Sequence, residues 1–204
     1  MLFEQWFTKV YQRKNLLDDQ VEIDRRIDLI EELSQRTGLK IPRTIFEVEG
    51  EQLTYRQQRV QRASGVPTFG ELRELSDSLD EMTKSGFVHG DLNRKNILLS
   101  DRGLVVIDLE PSLLQSVNGS KRFMVTRPYV ACDDLVKEKI TSATDKIAFY
   151  YYVRRVTGLL SSKEVVELAN DLCLSDGLLN SRWQSDVIAL SYEEILRGVF
   201  YKEI

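Results

Sequence analysis

The chain has 204 residues, 42% of them hydrophobic, enough to bury a core in one domain or in two small lobes around a cleft. Its 28 Lys and Arg against 32 Asp and Glu give a net charge of −4, so no whole-chain basic field exists to grip nucleic acid, and nucleic acid is not an expected partner. The two cysteines, Cys132 and Cys173, form no CxxC pattern and suggest neither a metal cluster nor a disulfide framework, which fits a reducing compartment.

No apolar run is long enough for a transmembrane segment, and Met1 to Trp6 lacks the basic, apolar character of a signal peptide. The expectation is a soluble, cytoplasmic chain; secretion without a cleaved signal would leave no mark in the sequence.

Leu2 to Tyr11 is rich in aromatic and β-favouring residues around Lys9 and reads as a strand. Asp18 to Gln35 turns charged, with Ile23, Ile27, Ile30 and Leu33 at helical spacing, and its alternating charges suit a solvated helix face. Ile41 to Glu49 and Gln52 to Arg59 are β-prone runs parted by a Glu-Gly turn, a hairpin signal. Ser64-Gly65-Val66-Pro67 then breaks the chain. Thr68 with Glu71 forms a capping box that opens a helix with the apolar face Leu72, Leu75, Leu79, Met82, ending near Gly86. The break near Ser64 divides a small mixed unit from a larger, mainly helical one, and clefts between such units commonly hold ligands. From Asp145 onward the composition is helical, with Val165, Val166, Leu168 and Ala169 in one helix and Trp183, Ile188, Leu190, Ile195 and Leu196 farther on.

Between these parts lies Phe-Val-His-Gly-Asp-Leu-Asn-Arg-Lys-Asn-Ile-Leu-Leu-Ser-Asp-Arg-Gly-Leu-Val-Val-Ile-Asp-Leu-Glu, residues 87–110. Phosphoryl transfer asks a protein to orient the hydroxyl nucleophile and to hold divalent cations against phosphates. Asp91 suits the first task. Asn96 and Asp108 supply the hard oxygens that Mg²⁺ prefers, provided a hairpin brings them together. The runs Ile97 to Leu99 and Leu104 to Ile107, joined by Ser-Asp-Arg-Gly, form that hairpin. Taken singly, each of these residues is as well explained as a turn or cap residue, and the sole histidine, His89, as a packing residue. Arg154 and Arg155 read as a solvated face or as partners of an acid such as Asp133.

His89-Gly90-Asp91-Leu92-Asn93-Arg94-Lys95-Asn96 resembles the protein-kinase catalytic loop H-R-D-L-x-x-x-N, and Val106-Ile107-Asp108-Leu109-Glu110 resembles the metal-binding D-F-G segment. Thr126-Arg127-Pro128-Tyr129-Val130-Ala131-Cys132-Asp133 is similar to the run that ends the kinase activation segment, and Asp145 falls where kinases place a buried aspartate that braces the catalytic loop. The resemblance covers about residues 68–160. It implies an α+β, protein-kinase-like two-lobe fold, with residues 1–63 as a reduced N-lobe and residues 64–204 as a helical C-lobe.

It also implies roles. Asp91 would be catalytic; Asn96 and Asp108 would hold Mg²⁺ or Mn²⁺ and with it ATP; Lys9 would steady the phosphates. Glu22 is the first choice for the acid paired with Lys9, with Asp24, Asp28 and Glu31 as rivals. His89, Thr126, Asp133 and Asp145 would give structural support, with the Thr126 hydroxyl on the catalytic aspartate.

Gly90 and Asn93 depart from the protein-kinase pattern toward sugar, antibiotic and lipopolysaccharide kinases and small atypical protein kinases. With no arginine before Asp91 to read an activation-segment phosphate, the expected site is constitutively assembled. Few residues precede Lys9 and no G-x-G-x-x-G occurs, so the expected ATP site is pared down or completed by something else. The resemblance thus implies a minimal Ser/Thr protein kinase acting on a protein substrate. The alternatives are a kinase of small molecules or lipopolysaccharide sugars, and a pseudokinase scaffold.

Overall fold

The computed structural model describes residues 5–12, 20–110, 126, 129–137, 139–159 and 181–201. The first part of the chain builds a three-stranded antiparallel sheet from β1 (Trp6–Gln12), β2 (Thr44–Glu49) and β3 (Gln52–Gln58), in the order β1-β3-β2. Strand side chains alternate, and the register sets Lys9 opposite Tyr55 and Tyr55 opposite Phe46. One face therefore carries Lys9, Tyr11, Leu53, Tyr55 and Gln57 together. β2 starts at Thr44, later than the sequence suggests, because Pro42 has no N–H to give to a ladder.

Helix α1 (Gln20–Gln35) buries Ile23, Ile27, Ile30 and Leu33, the stripe its periodicity predicts. Side chains pin it to β2. The Glu31 carboxylate accepts the Phe46 N–H at 2.6 Å, and Ser34 Oγ both accepts the Thr44 N–H at 3.1 Å and donates to the Thr44 carbonyl at 3.2 Å.

After the break at Ser64, α2 (Phe69–Lys84) opens on the full capping box: Thr68 Oγ1 accepts the Glu71 N–H at 3.2 Å, and the Glu71 carboxylate accepts the Thr68 N–H at 2.7 Å. Leu72, Leu75, Leu79 and Met82 are buried beneath it. The hairpin β4 (Ile97–Ser100) and β5 (Gly103–Val106) follows, its turn closed by Gly103 at φ 87°. The two parts of the chain are stitched here. The Val106 N–H donates to the Lys40 carbonyl at 2.7 Å, the Lys40 N–H to Ser78 Oγ at 2.8 Å, and the Ala63 N–H to the Leu99 carbonyl at 2.8 Å.

The remaining described elements are helices: α3 (Cys132–Lys137), α4 (Ser142–Val156), α5 (Ser181–Ala189) and α6 (Tyr192–Tyr201). Helix α4 is buried along most of its length, and Phe149 packs edge-on against Tyr192 of α6 with ring centres 5.3 Å apart. Tyr150 and Tyr151 pack on Trp183 of α5, as core residues. The segment holding Val165, Val166, Leu168 and Ala169 lies outside the described residues. Among the described residues no helix is long and apolar enough to cross a membrane. The whole is a mixed α+β fold.

Candidate active site

The site begins with a buried carboxylate. Asp145, in the first turn of α4, accepts the backbone N–H groups of His89 at 2.6 Å and Gly90 at 2.7 Å, anchoring the 89–96 loop to a central helix. Gly90 sits at φ 79°, in the left-handed region, which accounts for a glycine at this point of the loop. Burial pushes the Asp145 carboxyl up to about 6, against the counter-pull of His89 and the two N–H groups.

His89 is fully buried and ties two segments together. Its Nδ1 accepts the Asp91 N–H at 3.2 Å, so Nε2 carries the proton and donates to the Ile107 carbonyl at 2.9 Å. The ring thus couples the loop to the residue that precedes Asp108, a tethering role rather than a chemical one.

Three side chains converge on the Asp91 carboxylate. Oδ1 accepts Asn93 Nδ2 and Thr126 Oγ1, each at 2.7 Å, and Oδ2 accepts Asn96 Nδ2 at 3.2 Å. The clamp leaves Oδ2 with capacity for one more donor, such as a substrate hydroxyl. Asn96 Nδ2 also donates to the Asp91 carbonyl at 2.9 Å, so both its N–H bonds are spent on Asp91. Asn93 and its clamp on Asp91 escaped sequence reasoning, which took Asn93 only as a departure from a lysine.

Asp108 follows β5 at φ 61°, the one non-glycine residue with positive φ among those described. Such a conformation costs about 1–3 kcal/mol and persists where surroundings enforce it. Here the inner face of the first sheet does so: the Asp108 N–H donates to Gln57 Oε1 at 3.2 Å and the Leu109 N–H to Tyr55 Oη at 3.4 Å.

From the same face Lys9 Nζ reaches Asp108 Oδ1 at 3.1 Å and bonds Glu110 Oε1, which also accepts Tyr11 Oη at 2.9 Å. Partial burial pulls the Lys9 ammonium down, but the bonds to Glu110 and Asp108 outweigh it and leave Lys9 above its ordinary value. Burial, with Glu110 nearby, holds the Tyr11 and Tyr55 hydroxyls well above the usual tyrosine range, so both remain donors.

Of the expected residues, one lies outside the described side chains and one sits otherwise than the sequence suggests. Among the described residues the acids paired with Lys9 are Glu110 and Asp108. The side chain of Glu22 lies outside the described set, and Glu31 is spent on β2. Asp133 is exposed on α3 and pairs with Lys137 at 3.2 Å, whereas Arg154 lies over the Tyr150 ring and bonds its hydroxyl. The buried acid is the neighbouring Asp134, which accepts the Thr141 N–H at 2.8 Å and Thr144 Oγ1 at 2.7 Å, while Thr144 Oγ1 takes the Ala131 N–H at 3.2 Å. An Asp-Asp pair leaves the helix phase undecided by one residue, and only packing chooses.

No group of three or more His, Cys, Asp or Glu suited to a metal is found among the described residues. The pair Asn96 and Asp108 instead offers two hard oxygens, the donor set of a cation such as Mg²⁺ that takes its remaining ligands from water and phosphate.

The sequence match agrees with this geometry. Residues 6–115 match the model of the Phosphotransferase enzyme family (APH), more than half of the chain and all of the segment from Lys9 to Glu110. No curated protein matches the chain. The mixed α+β fold is compatible with that of kinases, and the chain belongs to the Phosphotransferase enzyme family, within the protein-kinase-like superfamily.

Proposed function

We propose that the protein transfers the γ-phosphate of ATP to a hydroxyl, and that the hydroxyl is a serine or threonine of a protein. The observation that carries this reading is the clamp on Asp91: a carboxylate oriented by Asn93, Asn96 and Thr126, with one acceptor position left open. Asp91 would accept the hydroxyl hydrogen bond and aim the oxygen at phosphorus. Lys9, with three N–H donors, would steady the phosphates, and Asn96 and Asp108 would hold the cation. A Mg²⁺ or Mn²⁺ ion there neutralises phosphate charge when bound. His89 and Asp145 keep the loop in register with Asp108 and take no part in the chemistry. In this reading residues 1–63 cover the nucleotide side of the cleft and residues 64–204 carry the catalytic loop.

The protein acceptor is favoured by the bond from Thr126 to Asp91, which ties the start of the 126–133 run to the base. A small-molecule or lipopolysaccharide-sugar acceptor is the second reading, favoured by the family match and by Asn93 beside Asp91.

An acceptor comparison separates the two. With γ-labelled ATP and Mg²⁺, label incorporated into a mixed protein extract and lost in Thr126→Val supports the protein reading. Label found only in sugars or aminoglycosides sends the assignment to the second.

A further inference from the structure

We propose that Glu110 is the residue that positions Lys9 for its phosphate contact, so that the lysine is fixed from the metal-binding segment. The proposal rests on the phosphotransferase reading given above. Lys9 Nζ bonds Glu110 Oε1, and the same oxygen takes Tyr11 Oη at 2.9 Å. Strand alternation puts Lys9 and Tyr11 on one face of β1, so both donors arrive together.

The Lys9 side chain also reaches Asp108 Oδ1. Asp108 would hold the cation, which would weaken its pull on the ammonium, whereas Glu110 would keep its own charge for Lys9. Of the three ammonium hydrogens, one on Glu110 would leave two for Asp108 and phosphate oxygens.

Glu110 is poorly explained as a stabilising residue. Its side chain is only 2% exposed, and its second oxygen, Oε2, is buried with no hydrogen bond of normal geometry among the described residues, although the Tyr55 hydroxyl lies close enough to feel its charge. A buried carboxylate with one oxygen unpaired is costly. Lys9, at 32% exposure, is the group through which Glu110 reaches solvent.

The test compares wild type with Glu110→Gln, which keeps the shape and removes the charge, alone and combined with Lys9→Ala. Glu110→Gln is expected to raise KM for ATP about tenfold, the scale of one charge-assisted hydrogen bond, and to add nothing in the Lys9→Ala background. The Lys9 Nζ resonance of the nucleotide-free protein, recorded by NMR at one pH, is expected to move in Glu110→Gln.

Tyr11→Phe strips the other donor from Oε1 and should move KM in the same direction by a smaller factor; it keeps the test alive if Glu110→Gln fails to fold. An unchanged Lys9 resonance overturns the pairing. A moved resonance with unchanged KM, or effects of Glu110→Gln and Lys9→Ala that multiply, overturns the positioning role. A wild type that binds no ATP overturns the phosphotransferase reading itself, and the resonance still reports the ion pair separately.

Discussion

Asp91 receives Asn93, Asn96 and Thr126, donors from two segments of chain, and the number of bonds says how firmly its direction is set. Asp91→Asn would keep the shape and lose the charge and one of the two acceptor oxygens. The expected result is a fall in kcat of about 10²–10⁴ with KM for ATP little changed, measured by steady-state kinetics.

Asp145 makes a second prediction. Burial raises its folded value to about 6 from 3.8, so its contribution to stability is fully present below the lower value and lost as pH rises through the upper one. A carboxyl carbon titration should show a midpoint near 6, and the amide shifts of His89 and Gly90 should move with it, since both N–H groups sit on its oxygens. A midpoint in the ordinary carboxylate range would contradict the burial argument.

At this scale the sequence was legible where a local pattern held several residues in order. Asp91, Asn96 and Asp108 announce themselves as a set. Glu110 stands in plain view two positions past Asp108, yet its bond to Lys9 spans 101 residues and no local pattern encodes it.

Elements were legible wherever the chemistry that starts or ends them is local. The capping box at Thr68 and Glu71, the stripe of α2 and the Gly103 turn each depend on neighbours within a few residues, and each is where the sequence puts it. Thr68→Ala is expected to destabilise the fold by about 1 kcal/mol in denaturant unfolding, the usual worth of such a cap. Leu75→Ala, at the fully buried centre of the same helix, should cost about 2–5 kcal/mol, since the cavity cannot fill from solvent. The start of β2 was misplaced because an apolar run hides the effect of Pro42. The one-residue choice between Asp133 and Asp134 turns on helix phase, which α3 takes from its contacts with α4.

Across the whole molecule, the site exists because two sheets are held in register. The first presents Lys9, Tyr11, Tyr55 and Gln57; the second delivers Asp108 and Glu110 beneath them; α4 anchors the loop through Asp145. Contacts that join residue 9 to residues 108 and 110 are properties of the assembled fold, which no local pattern shows.

The most direct measurement is transfer of labelled γ-phosphate from ATP in the presence of Mg²⁺ or Mn²⁺, for wild type, Asp91→Ala and Asp108→Ala. The structure predicts label transferred by the wild type and a loss of about 100-fold or more in both variants. Transfer that survives either substitution undiminished would contradict the site described here.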